Sequence, residues 1–375
     1  MAEAGPADAE VQEVHWERAG CPVCAPPGDV PAAASPQFLA PDHLFGRPGV
    51  FSLVRCPGCG SLRVDPRPTA DSLGFYYVDY YTPEGQRDAE ALQLGVGGDV
   101  PSNPVRKLAL RRWQEIRRRL PAPGGRPAPG PAAGAADRWT VLDVGCGLGG
   151  FLHHLTTAEP SVAGLGVEDA ARAVRFAREE LGLDVHEGRA ERLPWPDGCA
   201  DVVTLWHVLE HSPAPTVALA EAYRVLRPGG VLAVEVPHGG SLLLTVFRRR
   251  WFFLQPPTHL HLFTERALRQ LVRRAGFVDP ASSFPFVPLE LLGSLLLAVF
   301  RPRGLRHRPP RMLALVAIAL AVLLVETPLL LLLGRLRRSG VVRLFARKPE
   351  VADPGAAPTS AGSARRGVDD ESPPS

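Results

Sequence analysis

The stretch VLDVGCGLGG, residues 141–150, sets one carboxylate, Asp143, ahead of a turn built from Gly145, Cys146, Gly147, Gly149 and Gly150. Small residues after an apolar strand let the backbone approach a ligand closely, and a helix starting there offers free N–H donors. The spacing fits two cofactors. Gly145-x-Gly147-x-x-Gly150 matches a loop that cradles a dinucleotide pyrophosphate, whereas Asp143-x-Gly145-x-Gly147-x-Gly149 matches one that holds S-adenosylmethionine. Asp143 separates them, because a carboxylate there attracts an ammonium group and repels a pyrophosphate. Glu168, which ends the next apolar run, VAGLGVE, is placed to accept hydrogen bonds from the ribose hydroxyls of either cofactor.

The six cysteines form two close pairs, Cys21/Cys24 in CPVC and Cys56/Cys59 in CPGC, with Cys146 and Cys199 alone. The N-terminus, MAEAGPADAEVQEV, has neither a basic segment nor an apolar run, so a cytoplasmic, reducing location is expected. Paired thiols then point to metal ligation rather than disulfides. Two such turns, 31 residues apart, can close a tetrahedral zinc site, and four thiolates leave no open position for catalysis. The expectation is structural zinc. Cys146 and Cys199 are expected to pack, with Cys146 lending its backbone to the cofactor loop.

Transfer of a methyl group from a sulfonium is an in-line displacement, so a protein performing it must align the acceptor and accept a proton. His207 and His211 in WHVLEH and His259 and His261 in PPTHLHLFTERAL are the candidates, and alternation puts the last two on one face of an extended segment. Trp206 is expected to line the cofactor. Glu210 is either a site residue or a helix cap, and His238 is a weaker candidate base.

The elements that must position these groups alternate. TVLDVG, VAGLGVE, DVHEGR, ADVVTLW and GVLAVEV are strand-like runs separated by helical stretches such as AARAVRFAREELG and TVALAEAYRVL. That pattern predicts an α/β, doubly wound, Rossmann-like parallel sheet with ligands at the carboxyl ends of its strands. Around it the chain divides into a polar tail (1–18), the cysteine-bearing module (19–66), a mostly helical, Tyr-rich cap segment (67–120), a Pro/Gly linker (121–137), the β/α domain (138–348) and a disordered tail (349–375). The helix VRKLALRRWQEIRRRL (105–120) gathers Val105, Leu108, Trp113, Ile116 and Leu120 on one face, to dock on the sheet, cover the cofactor or touch anionic lipid.

An apolar insertion spans 287–338. Its run MLALVAIALAVLLVETPLLLLL (312–333) is long enough to cross a bilayer, but arginines on both sides give no orientation. The segment GVVRLFARKP (340–349) resembles the last strand of a methyltransferase sheet, which implies that it returns to the β/α domain. A re-entrant or surface-lying hairpin, or helices packed on the protein itself, is therefore expected instead of a single span. The formal net charge of +3 gives no reason to expect a nucleic-acid partner.

LPWPDGCADVVTLWHVLEH (193–211) and YRVLRPGGVLAVEVP (223–237), together with VLDVGCGLGG, resemble class I S-adenosylmethionine-dependent methyltransferases over roughly residues 138–280. The resemblance implies a seven-stranded sheet ending in GVVRLFARKP. It also implies S-adenosylmethionine as cofactor. Where the family often carries Asp after the Gly that ends the third strand, this chain has Arg189, so adenine contacts would fall to Arg189, the backbone of Ala190 or Glu191. The cysteine module followed by VDPRPTADSLGFYYVDYY, and the run from PPTHLHLF to RRAGF, resemble UbiG-like and sugar methyltransferases. That likeness brings one of Tyr76, Tyr77, Tyr80 and Tyr81 to the sulfonium, with Tyr80 as the catalytic candidate. It implies O- or C-methylation of a small or lipid-linked acceptor such as a sugar, glycolipid, quinone-like or polyketide metabolite. An NAD-dependent oxidoreductase and a non-catalytic membrane adaptor remain as rival readings, and the oligomeric state is open.

Overall fold

The computed structural model describes residues 14–25, 36–43, 46, 48–77, 94, 102–121, 138–287, 290–299 and 326–350. Both tails, Tyr80, the linker from 122 onward and most of the apolar run lie outside these residues.

The N-terminal part contains β1 (Trp16–Glu17), β2 (Phe38–Pro41), β3 (Val50–Arg55), β4 (Leu62–Val64), β5 (Arg67–Pro68) and the one-turn α1 (Gly74–Tyr77). Helix α2 (Pro104–Arg117) follows, opened by Pro104 at its first position and capped by the Asn103 side chain, which accepts from the N–H groups of Val105 and Arg106. The β/α part runs β6 (Trp139–Val144), α3 (Gly150–Ala158), β7 (Val162–Glu168), α4 (Ala171–Glu179), β8 (Asp184–Glu187), β9 (Ala200–Trp206), α5 (Pro215–Val225) and β10 (Leu226–Pro237). It continues through α6 (Leu242–Phe247), β11 (His261–Leu262), α7 (Glu265–Arg274), β12 (Val278–Ser283), α8 (Glu290–Val299), helical residues 326–335 and β13 (Val341–Arg347).

Seven strands form one sheet in the order β12-β13-β10-β9-β6-β7-β8, and β13 alone runs against its neighbours. The strand-like runs read from the sequence, including the returning last strand, all take their places in it. Side chains alternate between two faces as the pleat demands. Leu142, Val203, Leu232 and Val234 meet α5 and α7 through Leu219, Ala222, Leu268 and Leu271. On the opposite face Val141, Val202, Val231 and Ala233 meet α2, α3 and α4 through Trp113, Ile116, Leu152 and Ala177. The chain winds one way from β6 to β8 and the other way from β9 to β10, so the loops after β6 and β9 open side by side at the switch point.

Helix α2 docks on the sheet by one face and leaves the other to solvent. Ala109, Trp113 and Ile116 are its buried residues, while Leu108, expected on the same face, is 41% exposed. The cysteine-bearing module is likewise stitched to the β/α domain. Its four-stranded sheet has the order β11-β4-β3-β2, so its last strand is supplied by His261 and Leu262.

Helical residues 326–335 fold back onto this module. Leu330 and Leu333 pack with Leu53, Leu62, Leu243, Trp251 and Val341, while Leu331 and Leu332 stay about half exposed. The described end of the apolar run is therefore amphipathic and packed on the protein itself. Among the described residues, no helix is long and apolar enough to cross a membrane.

Candidate active site and thiol cluster

The loop after β6 is held open as a cradle by backbone geometry. Gly145, Gly147 and Gly149 have φ of 68°, 56° and 84°, in the left-handed region that a side chain disfavours. At Gly145 a Cβ would also sit 2.7 Å from Cγ2 of Val208, so the loop after β6 presses against the loop after β9. Glu168, at the end of β7, closes the cradle: its carboxylate accepts from the N–H of Gly147 at 2.9 Å and from that of Ala170 at 3.1 Å. Asp143 is buried and accepts from the Thr204 hydroxyl at 2.5 Å. Burial pushes the Asp143 carboxyl up to about 7, against the Thr204 hydrogen bond and the Arg112 charge, which favour the anion. Glu168 also rises to about 7, chiefly through burial and then through the neighbouring Asp169. Two buried carboxyls, both raised, thus flank one glycine loop.

Other expected cofactor residues divide. Cys146 donates its N–H to Val167 and turns its thiol into the core, where burial pushes it well above the usual thiol range. It contributes backbone to the loop and no sulfur chemistry. Arg189 is exposed, with Nε 3.9 Å from Asp169, and Ala190 is half-buried beside it. Glu191 accepts from the Ser212 hydroxyl at 2.5 Å. Trp206 packs edge-on against Phe151, ring centroids 5.4 Å apart, with the Arg112 guanidinium 4.4 Å over its ring, so it meets protein on these contacts.

The histidines of WHVLEH take opposite roles. His207, with φ 58°, lies between two carboxylates: Nδ1 is 3.0 Å from Glu210 and Nε2 is 3.4 Å from Glu235. Burial opposes its charge, but the hydrogen bonds to Glu210 and Glu235 prevail and raise it to about 9. A protonated imidazole has no lone pair to offer, which corrects the expectation of His207 as a base. Glu235, on β10, is in turn held by Arg112 of α2 and by Arg343 of β13, whose Nε is 2.7 Å away. Desolvation acts against the Glu235 carboxylate, yet the two guanidinium groups hold it well below the usual range. Arg343 also binds Glu115 at 2.6 Å, so a chain of buried charges links α2 to the sheet.

His211 is half-buried, and its Nδ1 lies 2.7 Å from the Tyr77 hydroxyl and 2.9 Å from the Thr258 carbonyl. Its ring meets that of His259 edge-on, centroids 4.7 Å apart, and His259 Nδ1 lies 2.8 Å from the Phe253 carbonyl. Burial lowers His211, and it lowers His259 to about 3, so both rings are neutral. Glu210, fully buried, completes the cluster. His259 and His261 meet different partners. His261 belongs to β11, stacks on Phe263 and lies near Arg67 and Arg63; burial first and these cations next lower it to about 3. It is a buried structural residue. His238 is similar, bound to the Ser339 carbonyl at 3.1 Å.

Sequence reasoning held Tyr77 among four candidate tyrosines but put Tyr80 ahead of it. Tyr77 lies in the same Tyr-rich stretch as Tyr80, and its hydroxyl reaches His211, whereas Tyr76 packs between Phe51 and Phe75. The register of a short helix decided which tyrosine points inward, and composition carried no signal for that.

At the N-terminal module the sulfurs of Cys21, Cys24, Cys56 and Cys59 lie within 4.8 Å of one another, with Cys21 and Cys59 3.6 Å apart and no disulfide. A tetrahedron with ~2.3 Å metal–sulfur bonds has edges of about 3.8 Å, so this donor set fits zinc. Gly60, φ 75°, makes the tight turn after the second pair.

Residues 105–279 match a family described as a methyltransferase domain. The chain is 31% identical over 185 residues to a malonyl-[acyl-carrier protein] O-methyltransferase of Methylococcus capsulatus, covering 45% of this chain and 66% of that one. It is 40% identical over 108 residues to the ubiquinone/menaquinone biosynthesis C-methyltransferase UbiE of Methylobacterium nodulans, covering 26% and 42% of the two chains. The first curated relatives are spanned over between 32% and 66% of their own lengths. A solved S-adenosylmethionine-dependent methyltransferase from Thermotoga maritima aligns over 72% of this chain and 97% of its own, with 18% identity and a TM-score of 0.43.

Proposed function

With residues 105–279 a methyltransferase domain on a class I sheet, we propose that this chain transfers the methyl group of S-adenosylmethionine to a small or lipid-linked acceptor. One observation carries this reading: the left-handed glycine loop is clamped by Glu168, floored by Asp143 and pressed by Val208 against the segment bearing Glu210 and His211. Asp143 faces the methionine ammonium and Glu168 the ribose. The acceptor lies toward Glu210, His211 and His259, where neutral imidazoles accept its proton and Tyr77 orients His211. Methylation is at oxygen or at an acidified carbon.

The four thiolates hold a structural zinc. The exposed Leu331, Leu332 and Leu336 beside Arg335, Arg337 and Arg338 support contact with an anionic lipid surface, which co-sedimentation with acidic vesicles would test.

Calorimetric titration should give one S-adenosylmethionine site per chain. Replacing Asp143 with Asn should weaken it roughly tenfold to a hundredfold, the worth of about 1.5–3 kcal/mol for a hydrogen bond to a charged group. Binding of NAD in place of S-adenosylmethionine would overturn the reading.

A further inference from the structure

A carbonyl oxygen can only accept a hydrogen bond. The 2.9 Å contact of His211 Nδ1 with Thr258 O and the 2.8 Å contact of His259 Nδ1 with Phe253 O therefore place each ring's proton on Nδ1. Each ring keeps one lone pair, at Nε2. Glu210 spends Oε1 on His207 at 3.0 Å, while its other oxygen, Oε2, is buried and accepts no hydrogen bond. One nitrogen from each ring and one Glu210 oxygen lie within 4.8 Å of one another. A buried carboxylate oxygen without a donor is costly, and no neighbouring imidazole proton is free to satisfy it.

We propose that Glu210, His211 and His259 bind a divalent first-row metal ion, separate from the thiol cluster. Two imidazoles and one carboxylate form a donor set for such ions, which leaves coordination positions open. Bonds of ~2.1 Å would draw the three ligand atoms to about 3 Å of one another, a movement within reach of two ring tips and a carboxylate. The outer shell is already in place. Thr258 and Phe253 carbonyls fix the rings, Tyr77 braces His211, and the N–H of His261 holds the Glu210 backbone carbonyl at 3.1 Å. With the ion bound, the ring lone pairs are spent on it. The ion would then take over from the imidazoles the task of acidifying an acceptor hydroxyl, whose proton would leave to water while the anion is held toward the sulfonium. That role rests on the methyl-transfer reading; the binding of the ion does not.

Manganese(II) is the probe, since thiolates prefer zinc whereas a carboxylate oxygen and bound waters suit manganese. The full chain, loaded with zinc, is titrated with Mn2+ while the electron paramagnetic resonance of the free ion is followed. One Mn2+ per chain should be taken up. His211→Ala, at a half-buried position, and Glu210→Gln should each weaken uptake by roughly tenfold to a hundredfold or more, and the exposed His186→Ala should leave it unchanged. S-adenosylmethionine affinity, measured without Mn2+, reports whether each variant is folded. Absence of uptake, or equal uptake by wild type and a folded His211→Ala, overturns the proposal. Full turnover after EDTA treatment that spares the zinc would also overturn the catalytic role while leaving methyl transfer standing. Failure to bind S-adenosylmethionine would instead overturn the methyl-transfer reading and leave the manganese result intact.

Discussion

Replacing Glu235 with Gln tests the buried charge chain that ties α2 to the sheet. The Glu235 side chain is 5% exposed and touches Arg112, Arg343 and His207. Glutamine keeps the shape but removes the charge and turns an N–H₂ group toward a guanidinium. The two arginines then fare differently. Arg343 retains Glu115 at 2.6 Å, whereas Arg112 is left with the face of Trp206 at 4.4 Å. Removing one member of a buried pair costs about 3–5 kcal/mol, because the other charge stays desolvated. The surviving Glu115 contact argues for the lower end, about 3 kcal/mol. At ~2–4 °C per kcal/mol for a domain of this class, the melting temperature should fall by roughly 6–12 °C. Urea unfolding of wild type, Glu235→Gln, Arg112→Met and the double variant closes the cycle. Arg112→Met should cost less in the Glu235→Gln background than alone. A Glu235→Gln change within about 0.5 kcal/mol of wild type would refute the reasoning, since that is the range of an unremarkable surface substitution.

Three further outcomes are expected. Gly145→Ala must place a Cβ at φ 68° and 2.7 Å from the stiff Val208, so left-handed strain of about 1–2 kcal/mol and overpacking of about 1–3 kcal/mol should lower stability together. Unchanged thermal unfolding and unchanged S-adenosylmethionine affinity would contradict that view of the loop. On the proposed reading Asp143 and Glu168, both raised to about 7, hold the cofactor as anions, so affinity should strengthen as pH rises, by roughly tenfold between pH 6 and 8 for each such proton. Calorimetry across that range should show protons released on binding, and Asp143→Asn should remove its share of them while the Glu168 share remains. Stripping the thiol cluster with a zinc chelator should lower the melting temperature and release zinc in a 1:1 ratio to chain, measured by a colorimetric dye.

The opposite linkage applies to His207. Its folded value, about 9, lies above the ordinary 6.5, so its contribution to stability is complete below about 6.5 and fades as pH rises through 9. Glu235, held low, contributes above the ordinary carboxylate range and loses that contribution as pH falls.

The strands and glycine loop were legible because period-two alternation and small residues are local signals, whereas GVVRLFARKP was placed by its resemblance to the last strand of a methyltransferase sheet. The charge chain was not. Glu235 stands 123 residues from Arg112 and 108 from Arg343, and in LAVEVP it looks like one more outward position of an alternating strand. The histidines were found as a set but not sorted. Their roles depend on which carbonyl or carboxylate faces each ring, and that is settled by the packing of 253–261 against 207–211. The long apolar run suggested a bilayer, but Leu330 and Leu333 find partners in the module sheet that no window of sequence reveals.

The two-residue strand β11 has a consequence for where this chain can be divided. It pairs with β4 at Arg63 and Leu62 on one side, while the His261 N–H holds the Glu210 carbonyl on the other. A chain trimmed to the family boundary at 105 would keep the whole cofactor cradle but strip β11 of its partner. Leu260, Leu262 and Phe263, each no more than 1% exposed, would become an open apolar edge beside the acceptor site. Strands β3 and β4 are therefore part of the frame that holds β11, not an appendage that can be exchanged.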